Sequence, residues 1–114
     1  ACLVGSEMCI RDSNRSLYDT VLPSGLRRLE FSAEFNQSLN NTRLPSTLET
    51  LKFDDCFDQS LDDTALPSGL RSLIFGVRFN QPLDNTALPS SLRGLQFGAH
   101  FNRSLGNTAL PSGL

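Results

Sequence analysis

The chain has 114 residues, with 10 Lys and Arg against 12 Asp and Glu, a formal net charge of −2 and a mean hydropathy of −0.19. That length fits one domain and leaves no room for a multidomain enzyme within it, and 39% hydrophobic residues suit a packed chain better than a disordered one. The near-balanced charge argues against nucleic acid or an acidic membrane, no apolar run approaches the roughly 18 residues of a spanning helix, and three Cys with one His leave little for a metal site.

One phrase recurs every 22 residues. Leu-Pro-Ser stands at Leu22, Leu44, Leu66, Leu88 and Leu110, and a fixed period of this length marks a repeat architecture. With that Leu as position 1, the chain divides into a partial coil 14–21, full coils 22–43, 44–65, 66–87 and 88–109, and a partial coil 110–114. Upstream of residue 14 the pattern fails, because Glu7 and Cys9 fall at the positions of Leu29 and Phe31 and Ser13 falls where Phe is due. The stretch Met8-Cys9-Ile10-Arg11-Asp12 resembles a translated sequencing adapter, so residues 1–13 are expected to be a non-native leader outside the repeat. A short native leader and a signal-peptide remnant are the alternatives, and the apolar run is too short and broken for a secretory core. The rest is expected to be a fragment of a longer repeat protein.

Each full coil opens with Leu-Pro, and the Pro fixes an extended backbone just ahead of a strand, where its missing N–H is tolerated. Leu-x-x-Leu-x-Phe follows (Leu26, Leu29, Phe31 in the first coil), ending in the alternation of a half-buried strand. Leu fills positions 1, 5, 8 and 18 of every full coil, and all eight Phe fall at positions 10 and 14. Small or polar residues after the first Phe predict a turn (Asp54-Asp55, Gly76-Val77). The remaining stretch, such as 80–87 with Pro82, is too short for a typical helix and predicts an extended return. A single coil buries too little apolar surface to offset the entropy of ordering it, so the coils must stack, about 4.8 Å apart. The fold class that follows is all-β, a leucine-rich-repeat-like right-handed β-solenoid with one main parallel strand per coil and little or no helix.

Stacking turns positions into columns. The outward strand positions are Arg28, Thr50, Ser72, Gly94 and Glu30, Lys52, Ile74, Gln96. Position 15 reads Asn14, Asn36, Asp58, Asn80, Asn102, a column expected to be buried and to satisfy turn backbone as a ladder, with Asp58 a weak rung, because it can only accept, unless a donor or water compensates. Thr20, Thr42, Thr64, Thr86 and Thr108 share position 21 and are expected to bond turn backbone through their hydroxyls.

Candidate chemistry is sparse. His100 and Cys56 share position 13 but lie two coils apart, beyond the about 3 Å reach a thiol–imidazole pair needs. Asp54, Asp55, Asp58, Asp62 and Asp63 crowd one coil, whereas solenoid calcium sites draw ligands from successive coils, so a solvated acidic turn is expected. Arg27, Arg71 and Arg93 share position 6, broken by Glu49, with Arg28 and Arg78 nearby; this stripe could face an acidic partner, and no outward aromatic is present to stack nucleic-acid bases. Sequons at Asn14, Asn36 and Asn102 are the ladder residues themselves, leaving Asn40 as the accessible acceptor. One Cys in the repeat excludes a disulfide scaffold and leans toward a reducing compartment.

Leu-Pro-x-x-Leu-x-x-Leu-x-Phe in all four coils, followed by Phe79-Asn80-Gln81-Pro82 and the shorter matches Phe35-Asn36 and Phe101-Asn102, resembles the FNIP repeat, a 22-residue unit of the leucine-rich-repeat class. Phe57-Asp58 departs from it at the Asn. The resemblance covers about 14–114 and implies a solenoid without a catalytic motif. The expected function is a non-catalytic protein-interaction or scaffolding module, and the alternative is a structural spacer that orients a neighbouring domain. The candidate partner face is Arg28, Glu30, Thr50, Lys52, Ser72, Ile74 and Gln96, and the structural ladder is Asn36, Asp58, Asn80 and Asn102. No cofactor, metal, nucleic acid or membrane is expected as a partner; other proteins are, together with self-association through uncapped ends.

Overall fold

The structure, a computed structural model, describes residues 2–4, 7–10, 22, 24–31, 33–37, 39, 44–61, 66–83, 86, 88–103 and 110. Each full coil contributes one short strand: β3 (Arg28–Phe31), β4 (Thr50–Lys52), β5 (Ser72–Ile74) and β6 (Gly94–Gln96). They pair in parallel with Leu29, Leu51, Leu73 and Leu95 side by side, so the 22-residue period of the sequence is the register of the sheet. No helix is assigned among the described residues.

Two turns bend every coil. Phe57 N donates to the Asp54 carbonyl at 3.3 Å in the turn expected after the strand. A second turn was not anticipated: Leu48, Leu70 and Leu92 donate to the carbonyls of Pro45, Pro67 and Pro89 at 3.1–3.2 Å. The Pro therefore begins a turn rather than leading straight into the strand, and the Ser-Thr, Ser-Gly and Ser-Ser pairs between Pro and Leu are the turn formers.

Two further strands, β1 (Cys2–Val4) and β2 (Glu7–Ile10), form an antiparallel pair at one edge, and β2 lies parallel to β3, giving a six-stranded sheet in the order β1 to β6. The repeat frame would align Glu7 with Leu29 and Cys9 with Phe31. The strand pairs one residue out of that frame, with Met8 opposite Leu29 and Ile10 opposite Phe31. A one-residue slip exchanges the two faces of a strand, so this register matches apolar with apolar where the 22-residue frame would not.

The core lies between the sheet and the return side. Position 5 (Leu26, Leu48, Leu70, Leu92) is buried throughout, and positions 8, 10, 14 and 18 are buried from Leu29 to Leu83. The Phe rings form two parallel columns. Within a coil the rings at positions 10 and 14 lie 3.8–4.3 Å apart and within 20° of parallel. Between coils the centroid spacing is 5.0–5.7 Å at position 10 and 6.0–6.1 Å at position 14. Hydrogen-bonded strands are held about 4.8 Å apart, so both ring columns behind the sheet are spaced more widely than the strands and the coils fan open away from it. The strands occupy the inside of the curve.

Glycine is required where one coil approaches the next most closely. A Cβ on Gly76 would be driven into the Asp54 carbonyl, and one on Gly98 into the Gly76 carbonyl. Gly76→Ala should therefore destabilise the fold by about 1–3 kcal/mol, read as a lower urea midpoint. Phe57→Ala, in the centre of its column, should cost about 3–5 kcal/mol and visibly more than Phe101→Ala, whose ring is only half buried.

Candidate functional site

Two surfaces combine residues from several coils. The first is the outward face of the sheet. Register places Arg28, Thr50, Ser72 and Gly94 in one row and Glu30, Lys52, Ile74 and Gln96 in the next. Their exposure is graded: the residues on β3 to β5 are half-buried, while Gly94 and Gln96 are exposed. Arg28 Nη2 donates to Glu30 Oε1 at 3.0 Å, and Lys52 Nζ lies 3.9 Å from the same oxygen. Arg27 and Glu49, outside the strands at position 6, approach to 3.8 Å with side chains 68% and 45% exposed, so water screens that pair and it adds little to stability.

The second surface is the ladder at position 15. Asp58 N donates to Asn36 Oδ1 at 2.8 Å, Asn80 N to Asp58 Oδ1 at 3.0 Å, and Asn102 N to Asn80 Oδ1 at 2.9 Å. Each side-chain oxygen thus accepts the amide of the following coil. The column is half-buried, and exposed at Asn102, rather than buried as expected. The compensating donors for Asp58 are present, because the atom used at this position is an acceptor, which a carboxylate supplies as well as an amide, and both Asn80 N and Gln81 Nε2 reach it. Position 16 completes the arrangement and was missed in the sequence. Gln59 Nε2 donates to Asn36 Oδ1 at 3.1 Å, Gln81 Nε2 to Asp58 Oδ1 at 3.0 Å, and Arg103 Nε to the Asn80 carbonyl at 3.0 Å. The recurrence of Gln37, Gln59 and Gln81 was the available signal.

A second missed column lies at position 4. Thr47 Oγ1 donates to the Leu26 carbonyl at 2.7 Å and Ser91 Oγ to the Leu70 carbonyl at 2.7 Å, while Gly25 and Gly69 occupy the alternate coils. Of the position-21 Thr, Thr86 is buried and its amide donates to the Leu83 carbonyl at 3.1 Å; Thr20, Thr42, Thr64 and Thr108 lie outside the described residues. So do Asn14, Asn40, Asp62 and Asp63.

His100 is exposed on the position-13 turn, and Cys56 is a half-buried free thiol two coils away, with Arg78 on the coil between. Among the described residues no group of three or more His, Cys, Asp or Glu is placed to hold a metal ion. No described helix is long and apolar enough to cross a membrane.

The ladder makes a definite prediction. Asp58→Asn should leave the thermal midpoint nearly unchanged, whereas Asp58→Leu should cost about 1–3 kcal/mol, because Asn80 N–H loses its acceptor and Gln81 Nε2 keeps only the backbone carbonyl of residue 58. Thermal denaturation followed by circular dichroism checks it; a large loss in the Asn variant would show that the negative charge itself matters.

Comparison with known proteins agrees with this geometry. The sequence model of the FNIP repeat matches residues 14–56, 57–100 and 79–114. Among solved structures, the chain is similar to the crystal structure of CroV588, a novel circular LRR protein, with a TM-score of 0.83 and 36% identity over 91% of this chain. It spans 15% of that protein's length. No curated protein matches the chain significantly. With in-register 22-residue coils, paired Phe columns and family matches running from residue 14 to residue 114, the chain belongs to the FNIP repeat family.

Proposed function

We propose that this repeat array is a non-catalytic protein-interaction module and that the outward face of β3 to β6 is its contact surface. The observation that carries this reading is the contrast between the two faces of one sheet. Inward strand positions are Leu in every coil, while outward ones run Arg28, Thr50, Ser72, Gly94 and Glu30, Lys52, Ile74, Gln96. Packing explains the uniform side and makes no demand on the other. A half-exposed Ile74 among polar neighbours, on a sheet at the inside of a curve, suits a protein partner that contacts several coils at once.

Immobilised chain should capture the same protein from an extract of cells that express it as the wild type and as the turn variant Val77→Ser, and lose it when Lys52 and Ile74 are both changed to Glu. Circular dichroism should be the same for all three. Capture indifferent to the Lys52 and Ile74 changes would favour the spacer reading, in which only coil number matters.

A further inference from the structure

Charge divides the array along its axis. From residue 66 onward the cations are Arg71, Arg78, Arg93 and Arg103 and the sole carboxylate is Asp84, while residues 14–65 carry nine carboxylates against five cations. On the sheet side of the first two coils the charges are largely matched, Glu30 with Arg28 and Lys52, and Glu49 with Arg27. In the next two coils they are not. Arg71 and Arg93 are exposed, and Arg93 N donates to the Arg71 carbonyl at 2.8 Å, so the two residues stack directly. Neither makes an ion pair among the described residues. Like charges held side by side on adjacent coils cost stability, and no partner among the described residues offsets that cost.

Gly94, next to Arg93, is the second observation. Unlike Gly76 and Gly98, it has no steric reason to be glycine: a Cβ there would meet only Ser72 Oγ, at 3.8 Å, an ordinary contact. Glycine inside a strand weakens it, and where packing does not require it, it marks a place that another backbone or ligand approaches closely. Ser72 and Gly94 also leave the outward row low beside the two guanidinium groups, with Ile74 two residues along β5.

Resting on the interaction reading above, we propose that the partner is an extended acidic segment of another protein, its backbone lying over Ser72 and Gly94, its carboxylates on Arg71 and Arg93, and an apolar residue against Ile74. Arg–carboxylate pairing supplies orientation and specificity here. Nucleic acid is disfavoured because no outward strand position among the described residues carries an aromatic ring.

The test is selection of a displayed random-peptide library on the intact chain. The enriched peptides should carry at least two carboxylates and an apolar residue, and their binding should weaken with salt. Affinity should fall roughly tenfold or more in the Arg71→Gln/Arg93→Gln double variant. Gly94→Val should block binding while leaving the melting temperature equal or higher, an outcome a purely structural glycine would not give. Enrichment of neutral or basic peptides that depend on Lys52 and Ile74 but not on the two Arg would overturn the acidic partner and leave the interaction face standing. Tighter binding of single-stranded oligo-dT than of any selected peptide, or salt-sensitive self-association of the chain that the double Arg variant abolishes, would replace the proposed occupant. No enrichment at all would count against both proposals.

Discussion

A coil of this protein is incomplete until another lies on it in register. Its strand amides and the oxygen of its ladder residue point along the stack, and its pair of Phe rings abuts the pair in the next coil, so each meets groups that only an equivalent coil places correctly. Arg27 O accepts from both Glu49 N and Thr50 N, Glu49 O from Arg71 N and Ser72 N, and the pattern repeats at Arg71 O. Phe53 lies beside Phe31 with their planes 2° apart, and Asn80 N reaches back to Asp58. A coil of 21 or 23 residues in the middle of the array would break these contacts together. Shared register therefore dictates the constant length of the repeat, as expected of a quasi-one-dimensional protein.

Much of the fold was legible because the constraint is periodic and apolar. The strands, the Phe columns, the turn after each strand and the absence of room for a helix all follow from spacing alone. Position 4 was harder to read, since Gly25, Thr47, Gly69 and Ser91 look like interchangeable small residues until the hydroxyls are seen to reach the preceding coil. Residue type alone left open whether Asp58 has a compensating donor, because the letter hides the atom in use: the rung needs an oxygen, and Asn80 N and Gln81 Nε2 both reach it. The strand Glu7–Ile10 follows pairing energetics instead of sequence period, and a strict 22-residue frame cannot reveal a pairing offset by 21.

The outward face was legible as a set of positions but not as a surface. Sequence places Arg28, Glu30 and Lys52 in rows; only the fold shows that one carboxylate serves two cations while Arg71 and Arg93 have none among the described residues. The same holds for the glycines. Gly76, Gly94 and Gly98 are indistinguishable as letters, yet two are demanded by the backbone of the neighbouring coil and one is not. Burial fixes the inner residues so firmly that departures from good strand chemistry on the outer side become informative.

The spacing of the Phe columns, 5.0–6.1 Å behind strands held about 4.8 Å apart, has a consequence for the path of the array. Wedge-shaped layers cannot build a straight rod; each one added turns the axis a little further, and the strands line the inside of an arc. Layer count then sets how far the arc closes, so gain or loss of a single 22-residue unit changes its span without altering any residue in the other units.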